Sequence, residues 1–324
     1  MAESKGTQEQ LSRLPYNNPR LVVDLGVGLW SWPLPMDYNG NGLTDLVVVC
    51  TDFPYNGVYF FENSGRVDPE TDMPVFKAAQ RIGDAVDNPH VTYVDGKPMV
   101  MTPHQYYPDF KATAFAEPVD LPVPDTREIH PREGRIRANQ WGFVDFDGNG
   151  IQDLVAGIGF WGDYGWDDAY DERGRWTNGP LRGYVYLLRN RGSADRPVYD
   201  EAEMLLTTDG APIEVFGRPS PNFADFTGDG KLDLICGEFR DGLTFFRNVG
   251  SRENPLYAPG RRLTHGDREI GMDLCMITPI AYDFTGNGWP DLVVGDEEMP
   301  KADRRSDWRS CGTPPGIPSF LMVR

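Results

Sequence analysis

One nine-residue pattern, written four times, restricts what this chain can become. Its copies are Asp37-Tyr-Asn-Gly-Asn-Gly-Leu-Thr-Asp45, Asp145-Phe-Asp-Gly-Asn-Gly-Ile-Gln-Asp153, Asp225-Phe-Thr-Gly-Asp-Gly-Lys-Leu-Asp233 and Asp283-Phe-Thr-Gly-Asn-Gly-Trp-Pro-Asp291. Oxygen-bearing side chains recur at positions 1, 3, 5 and 9, and glycine stands at 4 and 6, where a tight curl needs backbone freedom. Each copy runs directly into Leu and further apolar residues. One such stretch reads equally well as a hairpin turn. Four copies with Asp fixed at both ends favour a loop that wraps a hard cation, since Ca²⁺ takes six to eight oxygens.

The donor set follows from the spacing. Side chains would come from Asp37, Asn39, Asn41 and Asp45; Asp145, Asp147, Asn149 and Asp153; Asp225, Thr227, Asp229 and Asp233; and Asp283, Thr285, Asn287 and Asp291. Backbone carbonyls would come from Leu43, Ile151, Lys231 and Trp289, giving up to four structural Ca²⁺ sites. The loops at Asp145 and Asp225 hold three carboxylates each and are expected to bind more tightly than the other two. An EF-hand is excluded, because its bidentate Glu at position 12 is replaced by Val48, Ala156, Cys236 and Val294.

Around the loops a longer unit repeats. Leu46-Val-Val-Val49, Leu154-Val-Ala-Gly-Ile158 and Leu234-Ile-Cys-Gly237 follow three of them. Gly-x-aromatic strands come next, then the turns Asn63-Ser-Gly65, Asn190-Arg-Gly192 and Asn248-Val-Gly250, and then Pro74-Val-Phe76, Pro197-Val-Tyr199 and Pro255-Leu-Tyr257, each expected to open a fourth strand. Four short antiparallel strands repeated radially are a β-propeller blade, so an all-β propeller of four-stranded antiparallel blades is expected. The loop starts lie 108, 80 and 58 residues apart. The shortest interval is close to one blade, and the longest has room for a degenerate blade without a cation loop.

These segments resemble the FG-GAP/VCBS repeat, the calcium-loop blade of integrin α-subunit heads and many bacterial surface proteins. The resemblance covers roughly residues 20–300. It implies a propeller, commonly of seven blades, with structural Ca²⁺, in an extracellular or periplasmic setting. It also implies either an adhesion module or an enzyme on polysaccharide, a lyase or a glycoside hydrolase, and fold resemblance does not choose among these. The reading by segment is an N-terminal extension over 1–20, a propeller over 21–296, and an irregular tail over 297–324 that has the look of a truncated blade.

Charge narrows the partners. The chain carries a net charge of -18, and ten of its carboxylates stand in the four loops, so four divalent ions would bring the balance to about -10. That acidity excludes nucleic acid, which calls for clustered Lys and Arg. No apolar run of about 18 residues is present, so no membrane span is expected. The first residues, Met-Ala-Glu-Ser-Lys-Gly, show no signal peptide in this chain. Cys50, Cys236, Cys275 and Cys311 lack metal-site spacing, and Cys236 falls in an apolar run where a buried thiol is expected.

Two insertions interrupt the repeat, at about 87–140 and 160–181. In a four-stranded meander both should emerge at the end opposite the cation loops. They bring Trp161, Trp166 and Trp176, and the crossover before the third loop adds Arg218, as residues for holding a sugar. A lyase would need a base such as His104, Tyr106 or Tyr107 and a charge neutraliser such as Arg132 or Arg135. A hydrolase would need paired carboxylates such as Asp163 with Asp167 or Asp168. The expected function is therefore a calcium-stabilised propeller that binds or processes polysaccharide or cell-surface glycan through the insertion face. The alternative is a non-enzymatic adhesion or protein-interaction scaffold.

Overall fold

The computed structural model describes residues 12–13, 30–51, 56–69, 74–166, 168–240, 242–265, 267–270, 274–298 and 321–323. The fold is all-β, a ring of antiparallel sheets. Four of the sheets carry a nine-residue loop between their first and second strands, and a fifth lacks it. Blade 1 is Ser31–Met36, Asp45–Cys50, Gly57–Phe61 and Gln80–Gly83. Blade 2, without a loop, is His90–Val94, Lys97–Thr102, Gln105–Tyr107 and Val119–Asp120. Blade 3 is Ile136–Val144, Asp153–Phe160, Arg182–Leu188 and Glu203–Met204, with Glu214–Phe216 also pairing on its third strand. Blade 4 is Ser220–Ala224, Asp233–Gly237, Leu243–Phe246 and Arg261–Arg262. Blade 5 is Leu274–Tyr282, Asp291–Glu298, Leu321–Val323 and, from the other end of the chain, Ser12–Arg13.

The second strands of the four loop-bearing blades form the heart of the packing, and where their side chains are described all are buried. Their near-continuous Leu/Val/Ile composition follows from burial on both faces, against a neighbouring blade on each side. Apolar clusters fill every interface in turn. Trp32, Leu34 and Val47 meet Val91, Val100 and Tyr107. Met101 and Leu121 meet Trp141, Leu154 and Ile158. Val155, Val185 and Leu187 meet Leu234 and Cys236. Ile235 and Phe245 meet Ile277 and Val294. Leu46, Val48 and Phe61 meet Phe284 and Val293, which closes the ring.

A repeated glycine sets the blade-to-blade approach. A Cβ at Gly157 would collide with the Pro219 carbonyl and Pro221, one at Gly237 with the Ile277 carbonyl and Pro279, and one at Gly295 with the Ser31 carbonyl and Pro33. The last contact reproduces the other two between blade 5 and blade 1, and Thr278 Oγ1 donates to the Ser31 carbonyl across the same seam, 2.6 Å away.

The structure decides one open expectation and changes two. Of the two readings of the long first interval, the blade without a cation loop holds over most of 87–140, where an insertion is also expected: the Asp95-Gly96 turn, with φ of 51° and 72°, takes the place of the nine-residue loop. The Pro-led segments do not open the fourth strands. Pro74–Phe76 instead forms a ribbon with Asn63–Val67, while Tyr199 and Tyr257 bridge to Asn190 and Asn248. The fourth strands begin some residues later, at Gln80, Glu203 and Arg261. Of the tail expected over 297–324, residues 299–320 lie outside the described residues, and Leu321–Val323 pairs with Leu292–Val294. Cys236 is buried as expected and burial pushes its thiol pKa well up, and Cys50 is buried too.

Candidate metal loops and ligand face

Each nine-residue loop is built by its own side chains. Asp37 Oδ1 accepts from the N–H of Gly40 and Asn41 and its Oδ2 from Gly42, and Asp225 repeats the scheme with Gly228, Asp229 and Gly230 at 2.7–3.0 Å. Asn41, Asn149 and Asn287 each accept from the N–H two residues on. The glycines at positions 4 and 6 all have φ between 70° and 86°, a region that side chains with a Cβ avoid.

The ninth Asp has a second duty that the sequence spacing does not show. Asp45, Asp153 and Asp233 are buried, and their Oδ1 atoms accept the N–H of Asn63, Asn190 and Asn248, the first residue of each Asn-x-Gly turn, at 2.7–2.8 Å. Their Oδ2 atoms reach back into the loop, to Tyr38 N–H, Phe146 N–H and Thr227 Oγ1. Asp291 does the same towards Phe284 and Thr285. Burial raises the carboxyl pKa of Asp45, Asp153 and Asp233, while the backbone N–H groups oppose that rise. In the first three loops the ninth Asp therefore clips the loop to the Asn-x-Gly turn that follows the third strand.

Among the described residues no three acidic, His or Cys side chains converge into a ready-made cage. The donors nonetheless fit a hard cation in kind, all of them oxygens, and Asp145 Oδ1 is buried with no hydrogen-bond partner. The four loops differ in what surrounds them. Arg252 donates to the carbonyls of Asp145 and Phe146 and lies 3.3 Å from Asp145 Oδ2, while Arg189 approaches Asp147 at 3.7 Å. In the third loop Lys231 and Arg247 stand 3.3 and 3.6 Å from Asp229; burial works against ionisation there, but those cations hold its carboxyl below the usual range. The two loops richest in carboxylates thus carry their own counter-charges. At the first loop Lys111 donates to the Asp37 carbonyl, not to a carboxylate.

The opposite end of the ring gathers the remaining candidates. The nine-residue loops precede the second strands and the insertion at 160–181 follows one, so a strand's length separates them. Trp161 N–H donates to the Arg135 carbonyl, and its indole donates to the Gly217 carbonyl at 2.9 Å. Those bonds join the insertion to the segments that precede blades 3 and 4. Trp161, Tyr164 and Leu181 form a small core with Phe216, Phe239 and Trp176 against it, so the insertion packs on blade 4.

The expected site residues fall into different places. Trp161 and Arg218 are buried, at 4% and 1% exposure, Trp176 is half-buried and stacked on Tyr164, and Trp166 stands out at 60%. Arg132 and Arg182 both pair with Asp163, at 3.0 and 3.5 Å, and Arg182 also pairs with Glu214 at 2.7 Å. Asp167 lies outside the described residues. Tyr106 and Tyr107 sit on a strand of blade 2, where Tyr106 packs on Phe143 and Tyr107 is core. His104, in the preceding turn, has Nε2 2.9 Å from Thr126 Oγ1 and its ring against Trp141. His130 is buried with Nδ1 2.6 Å from the Tyr186 hydroxyl; burial first, then Arg132 and Arg127, lower its pKa. Both histidines are thus engaged by a hydroxyl and by neighbouring aromatic rings.

Trp30, just ahead of blade 1, is not singled out by its sequence context, although the Trp30-Ser-Trp32 alternation marks a strand edge with two large rings. In the structure it joins a ladder of alternating indoles and guanidiniums. Arg135 lies 3.7 Å from the Trp166 ring centre and 5.9 Å from that of Trp161. Arg137 lies 4.6 Å from Trp161 and 5.7 Å from Trp30. Arg218 lies 4.8 Å from Trp30 and 5.1 Å from Trp32. The ladder runs from the exposed tip of the insertion to the buried centre of the ring.

Two hollows, of about 270 and 650 Å³, lie elsewhere. The first is lined by His90, Thr92, Asn222, Asp145 and Arg252, the second by Asp225, Asp283 and Trp289, both towards the end of the nine-residue loops. No helix among the described residues is long and apolar enough to cross a membrane. Compared with known families, residues 225–294 match the FG-GAP-like repeat. That span takes in the third and fourth loops with the strands around them.

Proposed function

Taking this chain as an FG-GAP repeat β-propeller, we propose that it is an extracellular, calcium-stabilised module that binds polysaccharide on the face opposite its cation loops. The observation that carries this reading is the Trp–Arg ladder at the insertion end, with Trp166 exposed at its tip. A sugar ring offers an apolar face bordered by hydroxyls. An exposed indole covers the face, and the fixed Arg132–Asp163–Arg182–Glu214 network supplies donors and acceptors for the border. Binding suits this network better than acid–base chemistry, since the Asp163 oxygens are already engaged by two arginines.

Calcium would sit in the four loops, through the side chains at positions 1, 3, 5 and 9 and the carbonyl at position 7. There it would supply charge neutralisation, which the chain otherwise obtains in part from Arg252, Lys231 and Arg247. The residues themselves hold the loop closed through the hydrogen bonds of its first and last aspartates, as at Asp37 and Asp45, so the ion would rigidify a curl already formed. Extracellular Ca²⁺ levels suit such weak structural sites.

A glycan array with graded Ca²⁺ tests both parts. Retention of at least one polysaccharide, lost on Trp166→Ala with the melting temperature unchanged, is the expected result. A melting temperature that rises with Ca²⁺ and falls with EDTA is expected for the loops, and a Tm indifferent to both would remove calcium from the reading. The second reading, a protein-interaction scaffold, is favoured by the large exposed ring of Trp166 on the insertion face. It predicts no polysaccharide retention and capture of a folded protein partner that Trp166→Ala abolishes.

A further inference from the structure

We propose that the ligand of the insertion face is an anionic polysaccharide, and that Arg137 is the side chain that reads its charge. This rests on the glycan reading above and goes beyond it by naming the substrate class. Arg132 and Arg182 are satisfied by Asp163 and Glu214, and Arg262 by Glu238. Arg137 is arranged differently. Among the described residues it makes no ion pair, and its guanidinium is held between the indoles of Trp161 and Trp30 while remaining partly exposed.

A guanidinium steadied by aromatic faces keeps its in-plane N–H groups for a planar or tetrahedral anion, which it takes in a two-pronged hydrogen bond. The rings fix the charge without neutralising it, as a carboxylate partner would. Trp30 is itself held in place by Arg218, which is buried and donates through Nη1 to the Met276 carbonyl at 2.8 Å. The ladder therefore holds Arg137, partly exposed, on the same line as the exposed indole of Trp166, with Trp161 and Arg135 as the rungs between them, so that successive units of an anionic sugar chain meet a charge and an apolar platform.

The net charge of -18 does not oppose this. Ten carboxylates stand in the four loops at the far end of the ring, and at physiological ionic strength charges beyond about 8 Å are largely screened. The local field at Arg137 comes from its own neighbours.

The test is calorimetric titration of the full chain in Ca²⁺ with polygalacturonate, heparin, dextran and polyglutamate. Polygalacturonate distinguishes a carboxylate sugar and heparin a sulfated one; dextran is the neutral control and polyglutamate the non-sugar anion. Binding of at least one anionic polysaccharide about tenfold tighter than dextran, weakened about tenfold by Arg137→Gln, is expected. Arg137→Lys, which keeps the charge and loses the fork, should fold and show an intermediate loss. Dextran binding as tight as the anionic polymers, with Arg137→Gln and Arg137→Lys both without effect, would overturn the anion assignment while leaving the glycan reading intact. Polyglutamate binding equal to the sugars would overturn it as well, since charge alone would then suffice. Retention of none of the polysaccharides would overturn both readings.

Discussion

At the scale of single residues, the ninth Asp of the first three loops shows how one side chain serves two structures. Asp153 accepts the N–H of Phe146 at the loop's start and of Asn190 in the distant turn, from a buried position. Asp153→Asn places an amide N–H₂ opposite one of those donors, and the variant is expected to lose about 1–3 kcal/mol in urea unfolding, with or without calcium. His90 offers a second residue-scale measurement. It is fully buried at the first hollow with neither ring nitrogen hydrogen-bonded, and burial lowers its pKa to about 4. The folded state refuses a proton that the unfolded chain accepts below its ordinary value of 6.5. Its contribution is therefore fully present above that pH and is lost as pH falls towards 4, by about 3 kcal/mol. Asp45, Asp153 and Asp233 act in the opposite sense, because their raised pKa values let the folded state keep protons longer. The clean readout is the difference between variants: His90→Gln should flatten the fall in unfolding midpoint between pH 6.5 and 4.5 relative to the parent.

At the scale of elements, the four loops share a backbone and differ in their neighbours. Carboxylate number alone ranks the loops at Asp145 and Asp225 first. Arg252 at the second loop and Lys231 with Arg247 at the third would reverse that order for a bound cation, because a tethered guanidinium or ammonium competes for the same oxygens. Arg252→Gln is expected to tighten Ca²⁺ at the second loop several-fold, read as terbium luminescence competed by Ca²⁺. Unchanged affinity would mean that Arg252 only supports the carbonyls of Asp145 and Phe146. The element that the nine-residue repeat does not reveal is blade 2. Its first hairpin, Val91-Thr-Tyr-Val-Asp-Gly-Lys-Pro-Met-Val, carries the Asp-Gly dipeptide that marks a two-residue turn between strands, a strong local signal of a different length from the loops around it.

For the whole molecule, ring closure is the deciding feature. Gly295 meets Ser31 and Pro33 in the way Gly157 and Gly237 meet the blades that follow them. Gly295→Val would push a branched side chain into the Ser31 carbonyl, and the blade 5 to blade 1 seam should open first. The expected result is a loss of about 2–3 kcal/mol in stability, with hydrogen-exchange protection falling selectively in Ser31–Met36 and Asp291–Gly295. Protection falling evenly around the ring would show that the five interfaces unfold as one unit.

The sequence by itself determined the loops, the blades that carry them and the end of the ring at which the Trp- and Arg-rich segments emerge. It did so because those features are local: Asp and Gly at fixed spacing dictate a curl, and strand alternation dictates which end a connection leaves. Only the tertiary structure decided that Trp161 is buried while Trp166 is exposed, that Arg252 faces the second loop from another blade, and that Arg137 stands between Trp30 and Trp161. Most of those partners lie far apart along the chain, and the contacts that join them exist only once the blades have closed into a ring.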